Sequence, residues 1–350
     1  MPSSINVAVV GAGWIGEIRA TTCARHPLVN QLHIADIDAR RAEEVAQRTG
    51  ARSWVTDHRD LLDRDVDAVI VSAAPETTHY PIARDWLAAG KHVLLEKPIG
   101  LRLEDADELI ALAERAAVKF TIGYTQRFNP KFAYLKQCVT DGTLGTPVTG
   151  LVSRHITRAI GAKIAGRGEL GPVQMEGTHD IDLLLWWLEP ARPKRVYAQS
   201  ADGVMREPYG QPDSTWTLIT LDTGATAAVG SNWNLPLESP GLSAATVEFV
   251  GTEGAVFIDD GHRDLLVSTV KGGLARPLGT MPGQQVGHVY QGAMDAETRA
   301  FVDAVALDRP LVVTPRQARQ VLEVSLAADL SVERAAPVGL PLPVREPVVA

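Results

Sequence analysis

Residues 5–10, Ile-Asn-Val-Ala-Val-Val, read as a buried strand that runs straight into Gly11-Ala12-Gly13-Trp14-Ile15-Gly16, and a helical pattern follows over 15–25. Few local features restrict a fold so strongly. A strand that turns through Gly-x-Gly-x-x-Gly into a helix opens a βαβ unit, because glycines allow the tight turn and let the backbone approach an anion at the helix N-terminus. A second strand over 31–35 ends at Asp36, twenty residues beyond Gly16. That is where a carboxylate accepts hydrogen bonds from an adenosine ribose. The loop alone is a common pattern. With its strand, helix and acidic residue in place it predicts dinucleotide binding, with Trp14, Ile15 and Ile37 joining the three glycines and Asp36 in the cofactor set. Asp36 repels a 2′-phosphate and favours NAD, while Arg40 and Arg41, one turn further on, leave NADP open.

Strand and helix signals keep alternating: helix 39–49, strand 67–72, helix 80–89 closed by Gly90, strand 92–95, helix 103–117 and strand 119–123. Such alternation implies a parallel sheet. The 92–95 strand closes with Glu96-Lys97-Pro98. A charged lysine at the end of an apolar strand is costly to desolvate, and a proline directly after it stiffens the turn. In an isolated loop this would be an ordinary surface lysine. At the end of a strand in an open α/β sheet, where ligands bind, Lys97 is a catalytic candidate.

Beyond residue 125 the pattern changes. A helix over 131–141 is followed by strand segments at 147–155, 194–200, 214–221, 225–233, 244–250, 255–258 and 265–270, then by helices at 294–307 and 315–334. The expected fold class is α/β: an N-terminal Rossmann parallel sheet followed by an α/β domain with an open, mostly antiparallel sheet. The expected boundaries are 1–124 for the dinucleotide-binding domain, 125–336 for a substrate and oligomerisation domain, and 337–350 for an extended Pro-rich tail. The C-terminal helices are expected to pack back towards the first domain. In 214–221, Trp216, Leu218 and Thr220 share one face, with Thr217, Ile219 and Leu221 on the other. Apolar residues on both faces imply helices over one and a second subunit over the other.

Bulk composition narrows the partners. The 350 residues are 45% hydrophobic and 22% charged with a net charge of −8 and no basic stripe, which argues against nucleic acid and anionic membranes. No apolar run is long enough to span a bilayer. Cys23 and Cys138 lie in no metal-type or redox-type spacing and fit a reduced compartment. With no basic segment ahead of the first apolar run, a signal peptide is not expected and the cytoplasm is.

Taken together, these segments resemble the glucose–fructose oxidoreductase / inositol dehydrogenase (Gfo/Idh/MocA) family over nearly the whole chain. The likeness rests on the Gly11–Gly16 loop, Ala74-Pro75-Glu76-Thr77-Thr78-His79, Ala89-Gly90-Lys91-His92-Val93 leading into Glu96-Lys97-Pro98, and Gln126-Arg127-Phe128-Asn129-Pro130. It continues through Gly177-Thr178-His179-Asp180-Ile181-Asp182 and Gly251-Thr252-Glu253-Gly254. The resemblance implies hydride transfer between NAD(P) and a secondary hydroxyl of a sugar, cyclitol or related compound. It implies that Lys97 contacts the reacting oxygen, that His179 is the acid/base, and that Ala74, Pro75, His79 and Glu96 lie along the dinucleotide.

The chemistry agrees. Oxidising an alcohol needs a base for the hydroxyl proton and positive charge for the developing alkoxide, roles suited to a histidine and a lysine. His179 and Asp182, three apart on a predicted helix, share a face, and with no third ligand at a metal-type spacing no metal is expected. One departure stands out. The family commonly has an aspartate four residues before the histidine, and here that residue is Met175, with Glu176 beside it. Either Glu176 assists His179 or the acidic partner is missing. Gln174 is placed to bond a hydroxyl, and Tyr124, Gln126, Arg127, Arg154, His155, Trp233, His288 and Tyr290 are further pocket candidates. Three readings result: a polyol or sugar dehydrogenase of inositol dehydrogenase type, a sugar ketoreductase or dihydrodiol-type dehydrogenase, and a dinucleotide-binding regulator with altered catalysis.

Overall fold

The computed structural model describes residues 4–168, 170–259, 265–271, 273–275 and 283–343. They form two compact units, Met1–Asn129 with Pro282–Arg319, and Pro130–Met281 with Gln320–Ala350. In the first, β1 (Ile5–Val10), β2 (Val29–Ala35), β3 (Ser53–Val55), β4 (Ala68–Val71), β5 (His92–Leu95) and β6 (Phe120–Ile122) make a parallel sheet ordered β3-β2-β1-β4-β5-β6. Helices α1 (Trp14–Ala24), α2 (Ala39–Thr49), α3 (His79–Ala88) and α4 (Leu103–Ala116) connect the strands. Only β3 is absent from the sequence reading, since three residues are too few to show a period. The strand order reverses between β1 and β4, so the carboxyl ends of these two strands flank the switch point where open sheets take ligands. β1 and β4 are buried along their whole length, which is why they read as almost wholly apolar runs, with Asn6 the one polar residue. Val7, Val9, Ile34, Ile70 and Leu94 form the centre of this core, joined by Phe301 and Val302 from much later in the chain.

The second unit starts with α5 (Pro130–Thr140) and is built on β7 (Pro147–Thr157), β8 (Pro193–Ala201), β9 (Ser214–Leu221), β10 (Thr226–Leu235), β11 (Ser243–Gly251) and β12 (Ala255–Asp259). Between β7 and β8 come α6 (Arg158–Ala165), a π-helical turn over Val173–Gly177, and α7 (Thr178–Leu188); α8 (Arg206–Tyr209) precedes β9. Two small hairpins follow, β13 (Val267–Thr269) with β14 (Gly273–Ala275), and β15 (Gln285–Val286) with β16 (Val289–Tyr290). The chain ends with α9 (Ala293–Ala306), α10 (Pro315–Arg334) and β17 (Val338–Gly339). The sheet order is β12-β11-β7-β10-β9-β8-β17, and only the β7/β10 pair is parallel.

Three sequence expectations change. The expected second domain spans 125–336 with its C-terminal helices packing back towards the first domain, whereas 282–319, which include α9, cluster with the first unit, through Phe301 and Val302 as well as polar contacts. The expected strand at 265–270 is reduced to β13, and α6 and the π turn were not foreseen. Part of the Pro-rich tail pairs with β8 as an edge strand, while residues 344–350 lie outside the described residues.

Period-2 alternation sorts the second sheet into two faces. Thr217, Ile219 and Leu221 are buried, and on the same side Trp187 of α7 meets Phe249 edge-on at 6.1 Å and Phe132 of α5 at 5.9 Å. The other face is open: Trp216 and Leu218 are each 47% exposed and Phe257 is 70% exposed. Among the described residues no helix is long and apolar enough to cross a membrane.

Leu94 is fully buried in the centre of the first core. Leu94→Ala is expected to cost that unit about 2–5 kcal/mol, read as a lower urea midpoint at unchanged slope. An unchanged midpoint would show that the core does not depend on this strand.

Candidate active site

At the end of β1 the backbone turns at Gly11, with φ +91, and a Cβ there would lie 2.6 Å from the backbone of Ser72 and Ala73 after β4. A Cβ on Gly16 would overlap the Gly11 carbonyl oxygen, so the loop closes on itself only with hydrogen at both positions. Gly13, the N-cap of α1, has nothing within 4 Å of its Cβ direction, which leaves the outer side of the loop clear. Asp36 is buried and accepts from the backbone amides of Ala12 at 2.6 Å and Asp38 at 2.9 Å. Its carboxylate thereby stitches the loop to the end of β2. Arg41 lies 3.9 Å from Asp36, Arg40 pairs with Glu44, and Ile37 is 92% exposed beside them. The Ser72 hydroxyl, buried at the carboxyl end of β4, has no partner among the described residues. A glycine cradle, a fixed acid and an orphaned hydroxyl at the switch point fit a dinucleotide. Gly11–Gly16 would hold its pyrophosphate and Asp36 its adenosine ribose.

The Lys97 turn follows β5, which lies beside β4 and two strands from β1 in the sheet. The Glu96 amide donates to the Val71 carbonyl at 2.9 Å, and the Lys97–Pro98 peptide is cis. Glu96 Oε1 accepts from Arg19 Nε at 2.8 Å and from Arg19 Nη2 at 2.5 Å. Arg19 is wholly buried, and it also donates to Glu297 at 2.7 Å and to Thr298 Oγ1 at 2.9 Å. Burial opposes the Arg19 charge, but Glu96 and Glu297 outweigh it and hold its pKa above the ordinary value. Further along the same helix face, Thr22 donates to Asp295 at 2.9 Å. Burial pushes the neighbouring Cys23 thiol up to about 12, so it is no nucleophile at neutral pH. Lys97 itself is half-buried. The buried His79 spans two loops: Nδ1 lies 3.0 Å from the Pro98 carbonyl oxygen and Nε2 3.1 Å from that of Ala73. Its ring nitrogens therefore face backbone.

In the second unit His179 is the second residue of α7, half-buried, directly after the π turn. Such turns recur at functional sites. Met175 is buried among Ile156, Ile164, Met205 and Trp233, so the position where the resemblance implies an aspartate is apolar packing. Asp213 sustains that packing by accepting from the amides of Gly203, Val204 and Met205 at 2.7–2.9 Å. Glu176 is half-buried and lies across the π-to-α junction from His179. Asp182 is fully buried. Gln174 donates to Asp329 on α10.

Several pocket candidates acquire different roles. Arg154 is buried and grips the buried Asp180 of α7 through Nε at 3.0 Å and Nη2 at 2.6 Å. It therefore anchors the helix that carries His179. His155, next on the strand, points to the open face, where it meets Ser153 and Asn234 at 3.3 Å. Strand alternation thus puts it on the side of the sheet away from α7. Trp233 packs in the Met175 cluster, Tyr124 is fully buried and Gln126 nearly so. Arg127 donates to the Val312 carbonyl and to Gln317. His288 is exposed and Tyr290 half-buried in the β15–β16 hairpin. Arg19, Ser72, Asp180 and Glu297 escaped the sequence reading. Arg19 alone left a usable signal, as a charge among the buried residues Ile18, Ala20, Thr22 and Cys23 of α1. Among the described residues no three His, Cys, Asp or Glu side chains gather as a metal site.

Residues 5–124 match the model of an oxidoreductase family with an NAD-binding Rossmann fold, and residues 132–257 match that of the GFO/IDH/MocA C-terminal domain. The chain is 27% identical to scyllo-inositol 2-dehydrogenase (NAD(+)) of Bacillus subtilis, covering 97% of each protein. It is also 27% identical to UDP-N-acetylglucosamine 3-dehydrogenase of Acidithiobacillus ferrooxidans, covering 94% of this chain and 97% of that one. The solved structure of GenD2 from gentamicin A biosynthesis in complex with NAD superposes with a TM-score of 0.84 at 28% identity, over 98% of both chains.

Two outcomes are expected. Gly16→Ala weakens NAD binding by about 10-fold or more, read by titration calorimetry, and unchanged affinity would mean that the loop tolerates a side chain. Arg154→Met leaves Asp180 charged and unpaired and costs the second unit about 3–5 kcal/mol, whereas the double change with Asp180→Leu recovers most of it in denaturant melts. Equal losses in both variants would show that the ion pair is not what matters.

Proposed function

Because the chain belongs to the Gfo/Idh/MocA family of NAD-binding oxidoreductases, we propose that it is an NAD-dependent dehydrogenase acting on a secondary hydroxyl of a cyclic polyol or sugar, with inositols the first candidates. The observation that carries this reading is the Lys97 turn, held at the carboxyl end of β5 beside the switch point. When bound, NAD supplies the hydride acceptor. Lys97 Nζ contributes positive charge to the substrate oxygen as its proton leaves, and the His179 imidazole takes that proton. Asp36 favours NAD over NADP by its charge at the ribose. Glu176 assists His179 in this scheme.

Met175 favours a second reading. With an apolar residue where the resemblance implies an aspartate, the alternatives are a sugar ketoreductase or dihydrodiol-type dehydrogenase and a dinucleotide-binding regulator with altered catalysis. NADH formation across a panel of inositols, aldoses and glycosides separates these outcomes, since a regulator reduces no cofactor with any of them.

The same proposal includes a homodimer or homotetramer formed through the open face bearing Tyr197, Trp216, Leu218 and Phe257, an apolar surface of the kind that marks an interface. It also includes a cytoplasmic location, which the free, buried Cys23 and Cys138 support.

Lys97→Met is expected to lower kcat by about 10²–10³-fold with NAD affinity retained. His179→Ala should lower it by about 10²–10⁴-fold, and Glu176→Gln by less. Near-normal turnover in Lys97→Met would reduce that lysine to a turn residue. Leu218→Glu is expected to yield monomers by light scattering, and an unchanged mass would exclude this face as the interface.

A further inference from the structure

Lys97 is gripped through its two chain neighbours. On one side, Glu96 is fixed by its amide on Val71 and by its carboxylate on Arg19. On the other, the Pro98 carbonyl oxygen faces His79 Nδ1. The Arg19 contact is the less expected of the two. A wholly buried guanidinium is costly unless its donors are matched, and here Nε, Nη1 and Nη2 all find acceptors, in Glu96, Thr298 and Glu297. The acceptors come from two distant stretches of chain, while Arg19 belongs to the helix that begins at the glycine loop. One buried cation therefore joins the dinucleotide helix, the Lys97 turn and α9.

From this network we infer that Arg19 is a positioning residue for Lys97: it holds Glu96, and through the shared backbone it fixes where the Lys97 ammonium stands relative to the glycine loop. The inference rests on the functional reading of Lys97 given above. A helix-to-strand clip of purely structural value would need only one of these carboxylates. Two carboxylates on one arginine, with Thr298 on its remaining arm, fix the guanidinium plane as well as its location. Gly123 at the end of β6 shows how little room is left. A Cβ there would sit 3.0 Å from Glu96 Oε2 and 3.2 Å from Arg19 Nη2.

Two variants test the idea, one removing the cation and one displacing it. Arg19→Met leaves the buried Glu297 and the half-buried Glu96 without their cation, whereas Gly123→Ala removes no charge and only pushes a methyl group against the pair. The readout is the acetylation rate of Lys97 by acetic anhydride in the NAD-bound protein, measured by peptide mass spectrometry against Lys91 and Lys119. It is followed by NAD-linked turnover of myo-inositol and scyllo-inositol. Both variants are expected to change the Lys97 rate severalfold with Lys91 and Lys119 unmoved. Turnover should fall by about 10²-fold in Arg19→Met, the worth of a misplacement near 1 Å, and by less in Gly123→Ala. The Arg19→Met, Lys97→Met double variant should be no slower than Lys97→Met alone, because Arg19 acts through Lys97. If Arg19→Met fails to fold, Gly123→Ala decides. An unchanged Lys97 acetylation rate in the folded variants, or losses that multiply in the double variant, would overturn the assignment. Should neither inositol be turned over by the wild type, the substrate reading fails while the labelling result still judges Arg19.

Discussion

The close approach of the glycine loop to the end of β4 is the contact on which the first unit depends. Gly11 lies so near Ser72 and Ala73 that no side chain fits between them, and this lets β1 and β4 lie side by side with the loop folded over their carboxyl ends. Once those strands are neighbours, the order reversal opens the crevice. Ser72 and the Lys97 turn come to one end of the sheet because parallel strands present all their carboxyl ends together.

Charge in the first unit is arranged around this end. The buried Arg19 and Glu297 and the half-buried Glu96 form a cluster in which the buried charges are costly alone and tolerated only in company. It ties α1 to α9, so the helix that opens the nucleotide loop is braced by a segment almost three hundred residues further along. His79 lies against the same turn from the α3 side, its two ring nitrogens facing the Pro98 and Ala73 carbonyls.

The second unit solves a different problem. Its sheet needs one face covered and uses α5 and α7, with Trp187 packed between Phe132 and Phe249. The π turn and α7 then carry His179, and the Arg154–Asp180 pair pins that helix to β7. Met175 turns into an apolar cluster with Ile156, Ile164, Met205 and Trp233.

The sequence by itself determined the strand–loop–helix opening, the parallel sheet, the acid at the end of β2 and the lysine turn. These are local signals, set by period, by glycine sterics and by proline. It also determined the two faces of β9, because a period of two has only one way to sort Trp216 and Leu218 from Thr217 and Ile219. It did not determine which candidate side chains lie together. Arg154 and His155 are adjacent in sequence and look alike as pocket residues, yet pleating sends them to opposite faces. The partners of Arg19 lie 77, 278 and 279 residues away, and a pairing that depends on mutual burial leaves no period to read. Only the tertiary structure decided those, since the cost that selects them, desolvating a charge, exists only once the chain has closed around it.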